Sequence, residues 1–142
     1  MSTLTDIIDS ELDALSAAVK PYGVSVFADP VKAVAALESG DPVIVISDPV
    51  IEVPTLWRKE WKCTFDLLAA NPIPDLTETR ETFGPVLDAL TQSFAFTRIE
   101  PIDTGITDRR TYYGYSLEYE RTYQIAETKQ EEKDTENGNS NS

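Results

Sequence analysis

Three features of the sequence predict an α+β fold: a mostly antiparallel twisted sheet with helices packed on one face and a long C-terminal hairpin. Two long stretches alternate apolar and polar residues with a period of two, as half-buried strands do. Two others repeat apolar residues at helical spacing. Their order along the chain is helix, short strand, short helix, strand, long strand, long helix, strand, long strand, which leaves the strands to pair largely with one another.

The clearest stretch is Thr111 to Ile125. Tyr113, Tyr115, Leu117, Tyr119, Tyr123 and Ile125 take one parity, while Gly114, Ser116, Glu118, Glu120, Thr122 and Gln124 take the other. This predicts an aromatic face turned inward and a polar face turned to water. At about 3.4 Å per residue such a strand runs roughly 45 Å, longer than the usual strand, so it is expected to overhang its own core. An overhanging strand is one arm of a long hairpin or an edge that another chain covers.

From the N-terminus, Leu4, Ile7, Ile8, Leu12, Leu15 and Val19 form one helical face, with Asp6, Asp9, Glu11 and Asp13 elsewhere. Thr3 or Thr5 can cap that helix and Lys20-Pro21 closes it. Val24, Val26 and Phe27 make a short strand. Asp29-Pro30 then opens a second helix, with a capping acid before a proline at the first helical position, and Gly40 ends it. The run PVIVIS, Pro42 to Ser47, is apolar at successive positions and reads as a strand covered on both faces.

A second alternation runs from Leu56 to Leu68. Trp57, Trp61, Cys63, Phe65 and Leu67 share one face, and Arg58, Glu60, Lys62, Thr64 and Asp66 the other. Lys59 is the exception on the apolar face, where its stem can snorkel near the strand end. After the Asn71-Pro72-Ile73-Pro74 turn, Leu76 to Phe94 is helical, with Thr77 as its cap and Gly84-Pro85 as a kink or as the start of a second segment. Ala95 to Ile102 is a strand, Asp103-Thr104-Gly105 turns it, and the long strand follows as its hairpin partner. Residues 1–126 read as one domain. Residues 127–142, with five acids, two bases and no large apolar side chain, read as a disordered acidic tail.

The chain has 142 residues, 12 Lys plus Arg, 25 Asp plus Glu and a formal charge of −13. That balance excludes general phosphate neutralisation as a mode of binding, yet it suits a wall past which DNA slides without adhering. Cys63 is the only cysteine, so no internal disulfide forms, and its place between Trp61 and Phe65 makes it a core thiol. No apolar run approaches the roughly 18 residues of a membrane span, and the N-terminus is acidic. A soluble intracellular protein is expected.

Little chemistry is on offer. There is no histidine, which removes the common acid-base and zinc arrangements, so the expectation is no enzyme, no cofactor and no metal. Asp6, Asp9 and Asp13, or Asp41 and Asp48, could in principle serve a small carboxylate-dependent hydrolase, but an acidic solvated helix face and turn acids explain them. Six glycines form no phosphate-cradling run. The Arg58-Lys59-Lys62 cluster interleaves with Trp57 and Trp61, but alternation turns the tryptophans away from Arg58 and Lys62, against a stacking platform for nucleic acid.

The segments VSVFADP, PVIVISDP, LWRKEWKCTFDLLA, FAFTRIEPID and YYGYSLEYERTYQ, behind a leading amphipathic helix, together resemble the tail terminator proteins of long-tailed bacteriophages. Those of actinobacteriophages are most similar. The resemblance spans residues 1–125 and lies in order and texture. It implies a virion structural protein, assembled in the host cytoplasm, that forms a hexameric ring at the head-tail junction. Such a ring caps the tail tube, offers the docking surface for a head-side connector, and lets DNA pass without specific binding. The alternative is a head-tail connector of the same ring-forming type. On exposure, Arg58, Lys59, Arg109, Arg110 and Tyr112 are the candidate subunit or partner contacts. The acidic tail has no counterpart in this resemblance.

Overall fold

A computed structural model describes residues 3–54, 59–107 and 110–125. Two compact units divide the chain, Met1–Val50 with Thr64–Glu120 and Ile51–Cys63 with Arg121–Ser142. The expected disordered tail, residues 127–142, lies outside the described residues.

In the first unit α1 (Thr3–Val19) buries Ile7, Glu11, Leu15 and Val19, four residues apart along one stripe. A 3-10 turn, Lys20–Tyr22, follows it and closes on Gly23 at φ 73°, a left-handed position that glycine takes without strain. Next come β1 (Ser25–Phe27) and α2 (Pro30–Glu38). The Asp29 carboxylate accepts the Val31 N–H at 2.9 Å, so the Asp-Pro start signal works as read. Strand β2 (Val43–Ile46) is buried at every position.

Strand β4 (Glu60–Ala70) and helix α3 (Leu76–Ser93) carry the second half of the layout. Asp75, not Thr77, caps α3: its carboxylate accepts the Glu78 N–H at 3.0 Å. Helix α3 runs on through Pro85 to Ser93. Its buried residues Thr79, Phe83, Val86 and Leu90 keep one helical phase on both sides of the proline, and that shared core contact holds the segment as one helix.

Strands β5 (Phe96–Thr107) and β6 (Arg110–Gln124) form the closing hairpin. Its turn falls later than Asp103-Thr104-Gly105. Pairing continues to Thr107 beside Arg110, and a register shift between Thr104 and Thr107 absorbs the glycine. One strand went unread: β3 (Val50–Glu52), which pairs with β4. It is three residues long and sits between Pro49 and Pro54, too short for alternation to register.

The sheet is open, in the order β1-β2-β4-β6-β5, with β3 beside that path. Strands β1 and β2 are parallel, joined through α2, whereas β2 with β4 and β5 with β6 are antiparallel. Val43 and Val45 pack with Ala33 and Leu37 of α2, Ala70 and Tyr112. Ile44 and Ile46, alternating with them, point to the opposite face. That opposite face belongs to α1 and α3, which pack on each other, bring Phe83 to Tyr115 and bring Glu11 to Tyr119. The fold is α+β, with the two long helices on one face and short α2 on the other. The apolar run of β2 is the sequence trace of that second cover.

In the second unit, β4 begins at Glu60 behind Lys59, which holds φ 53°. Lys59 therefore stands in the turn before the strand, outside the alternation in which it was the exception. Its carbonyl accepts the Ile125 N–H at 2.6 Å, and Gln124 Nε2 donates to Glu60 Oε2 at 3.0 Å.

Candidate interaction surface

The end of β4 is fixed to the start of α3 by one buried amide. Asn71 donates its backbone N–H to the Tyr113 carbonyl at 2.9 Å, and its Nδ2 donates to Ile73 O and Thr79 Oγ1, each at 3.0 Å. Thr79 Oγ1 in turn donates to Asp75 O at 2.7 Å. Because β4 gives out at Asn71, the ribbon from Thr104 to Thr107 and from Arg110 to Thr111 extends past its neighbour. This is the overhang read from strand length.

At the base of the ribbon Leu76, Pro101, Ile102, Asp103 and Tyr113 line a shallow cleft of about 250 Å³. Leu76 is 53% exposed there. At the other end of β5 a cleft of about 450 Å³ runs beside Thr91, Phe96, Thr97 and Ile99. Beneath it lies an aromatic cluster. Tyr119 stacks on Phe65 at 5.1 Å and 19°, and meets Phe94 and Phe96 edge-on at 5.1 and 5.5 Å. Its phenol donates to Glu11 Oε1 at 2.8 Å, which accounts for a carboxylate on the buried stripe of α1.

The five candidate contacts are not brought together among the described residues. Arg58 and Arg109 lie outside them, and Arg110 enters only through its backbone as the first residue of β6. Lys59 is exposed in the turn before β4. Tyr112 is a correction. At 1% exposure it packs against α2 and β2, and its hydroxyl has no hydrogen-bond partner among the described residues. Alternation gave Tyr112 to the water face, but that face of β6 is covered here by α2. Gly114 is likewise buried at the sheet interior.

The surface that the candidate list missed is the outer edge of β5, the last strand of the sheet. Thr97, Arg98, Ile99, Pro101 and Asp103 are all exposed. Arg98 donates to Glu100 on the same side of the strand, and that hydrogen bond, followed by the carboxylate's charge, raises the guanidinium pKa above its ordinary value. The sequence signal was Pro101, since a proline inside a strand marks an edge. Among the described residues no group of three or more acidic, histidine or cysteine side chains is placed to hold a metal ion. No helix among them is long and apolar enough to cross a membrane. No protein-family model matches the chain, and no curated protein matches it significantly.

Proposed function

We propose that the chain is a virion structural protein of a long-tailed bacteriophage, a tail terminator whose copies close into a ring on the end of the tail tube. The observation that carries the reading is the β5–β6 hairpin, whose pairing outruns β4 beyond Asn71 and continues to Thr107 beside Arg110. A two-stranded ribbon without a third strand buries little of its own surface, and a neighbouring subunit or the tube rim would supply the missing cover. The resemblance of residues 1–125 to tail terminators supports the assignment. The charge of −13 suits a bore that DNA crosses without adhering. In this reading the ring is hexameric, the tail-tube protein and a head-side connector are the partners, and no reaction is catalysed.

The test is the mass of the purified chain alone and with a tail-tube protein of the same phage, by light scattering and negative-stain imaging. Rings, or caps on tube ends, support the assignment. Rings that ignore tubes but bind portal-side proteins favour the head-tail connector of the same type. Absence of both kinds of binding refutes the reading. Reversing charge at Arg109 and Arg110 should weaken assembly and leave the monomer folded, and unchanged assembly would remove the ribbon from the contact.

A further inference from the structure

We infer that the outer edge of β5 pairs with the same edge of a second copy, antiparallel and about a twofold axis through Ile99. The inference rests on the fold alone and not on the ring reading.

The backbone provides the first constraint. In an antiparallel ladder the N–H and C=O of one residue point to the same side and alternate along the strand. Proline is tolerated at an edge with its nitrogen on the open side. Pro101 therefore marks the outward parity, shared by Ile99 and Asp103, while Arg98, Glu100 and Ile102 direct their backbone groups toward Glu118, Ser116 and Gly114 of β6. Ile99 offers both a donor and an acceptor to the open side. Pro101 offers an acceptor only.

Side chains then select the register. Arg98 and Glu100 flank Ile99 symmetrically, and like charges directly opposite each other disfavour pairing. An axis at residue 98 sets arginine against arginine, and an axis at residue 100 sets glutamate against glutamate. An axis at residue 101 aligns the two prolines and loses both central donors. With the axis at Ile99, Arg98 faces Glu100 of the second copy on both sides, and Ile99 faces its own counterpart with two backbone bonds exchanged. Ile99, 37% exposed beside the 450 Å³ cleft at the end of α3, would then be covered. Pro101 falls opposite Thr97 and lacks the second donor, so the pairing fades two residues from the axis and stays short. The Arg98–Glu100 contact within one strand shows that these side chains already lie on one face.

A second copy is the occupant because the edge is complementary to itself in charge: the twofold sets Arg98 of each copy opposite Glu100 of the other, on one face of the strand. Light scattering of the full chain and two variants tests this. Glu100→Arg places arginines opposite one another across the axis and should lower the particle mass, to half where this pairing is the sole contact between copies. Arg98→Glu with Glu100→Arg restores opposite charges and should return the wild-type mass. Both positions are partly or fully exposed, and circular dichroism checks that each variant is folded. Equal masses for all three proteins, or a double variant that stays at the mass of the single one, overturns the pairing.

Discussion

Replacing Gly114 by alanine should be the most damaging glycine-to-alanine change among the described residues. A Cβ built at Gly114 lies 1.7 Å from the Ala69 carbonyl oxygen, 2.7 Å from its carbon and 3.0 Å from Ala70 Cα. All three are backbone atoms of a central strand, so no side chain can rotate away. Relief requires β4 and β6 to separate locally by about 1.5 Å or more, since ordinary carbon-oxygen contact begins near 3.4 Å. That movement strains the neighbouring Asn71 N–H to Tyr113 carbonyl bond, 2.9 Å long. Overpacking costs about 1–3 kcal/mol, and a lost buried backbone bond adds about 1 kcal/mol or more. The sum, about 2–4 kcal/mol, is a large part of the roughly 5–15 kcal/mol that holds a domain. Urea unfolding of Gly114→Ala should show a midpoint lowered accordingly with little change in slope. A loss below about 0.5 kcal/mol would refute the close approach of the two strands, because surface substitutions already span that range.

Gly84→Ala is the matched opposite: nothing lies within 4 Å of its added Cβ inside α3, so helix propensity should raise stability by about 0.5–1 kcal/mol in the same urea assay. Tyr119→Phe removes the donor to Glu11 Oε1 inside the core. It should cost about 1–3 kcal/mol, the range for taking a hydrogen-bond donor away from a buried polar group, with the ring contacts to Phe65 and Phe94 retained. Asp75→Ala deletes the N-cap of α3 and should lower the thermal midpoint by an amount equivalent to about 1 kcal/mol, most of which Asp75→Ser restores.

Much of the layout was legible because its signals are local. Period-two alternation located β4 and β6, helical spacing located α1 and α3, and Asp29-Pro30 fixed the start of α2 to the residue. What local signals could not carry is the identity of the neighbour. Tyr112 and Gly114 have the parity of a water-facing side, yet they are buried because α2 and β4 arrive there from distant parts of the chain. Glu11 looked like one more acid of a solvated helix and is 2% exposed, because Tyr119, 108 residues away, brings it a hydrogen-bond donor. Thr77 offered a reasonable cap, but Asp75 lies where the Asn71 and Thr79 bonds start the helix. Of the candidate contacts, Lys59 alone has a described and exposed side chain, and the edge of β5 was visible only as Pro101.

By itself the sequence determined which of the long segments are helix and strand, that the chain is strongly acidic, and that histidine is absent, since composition and short-range periodicity are properties of neighbouring residues. Only the tertiary structure decided which face of each strand is covered, which strand is left at the edge, and where two backbones come within reach of a single methyl group. Those outcomes depend on strand order and on contacts between residues far apart in the chain. No window of sequence contains them.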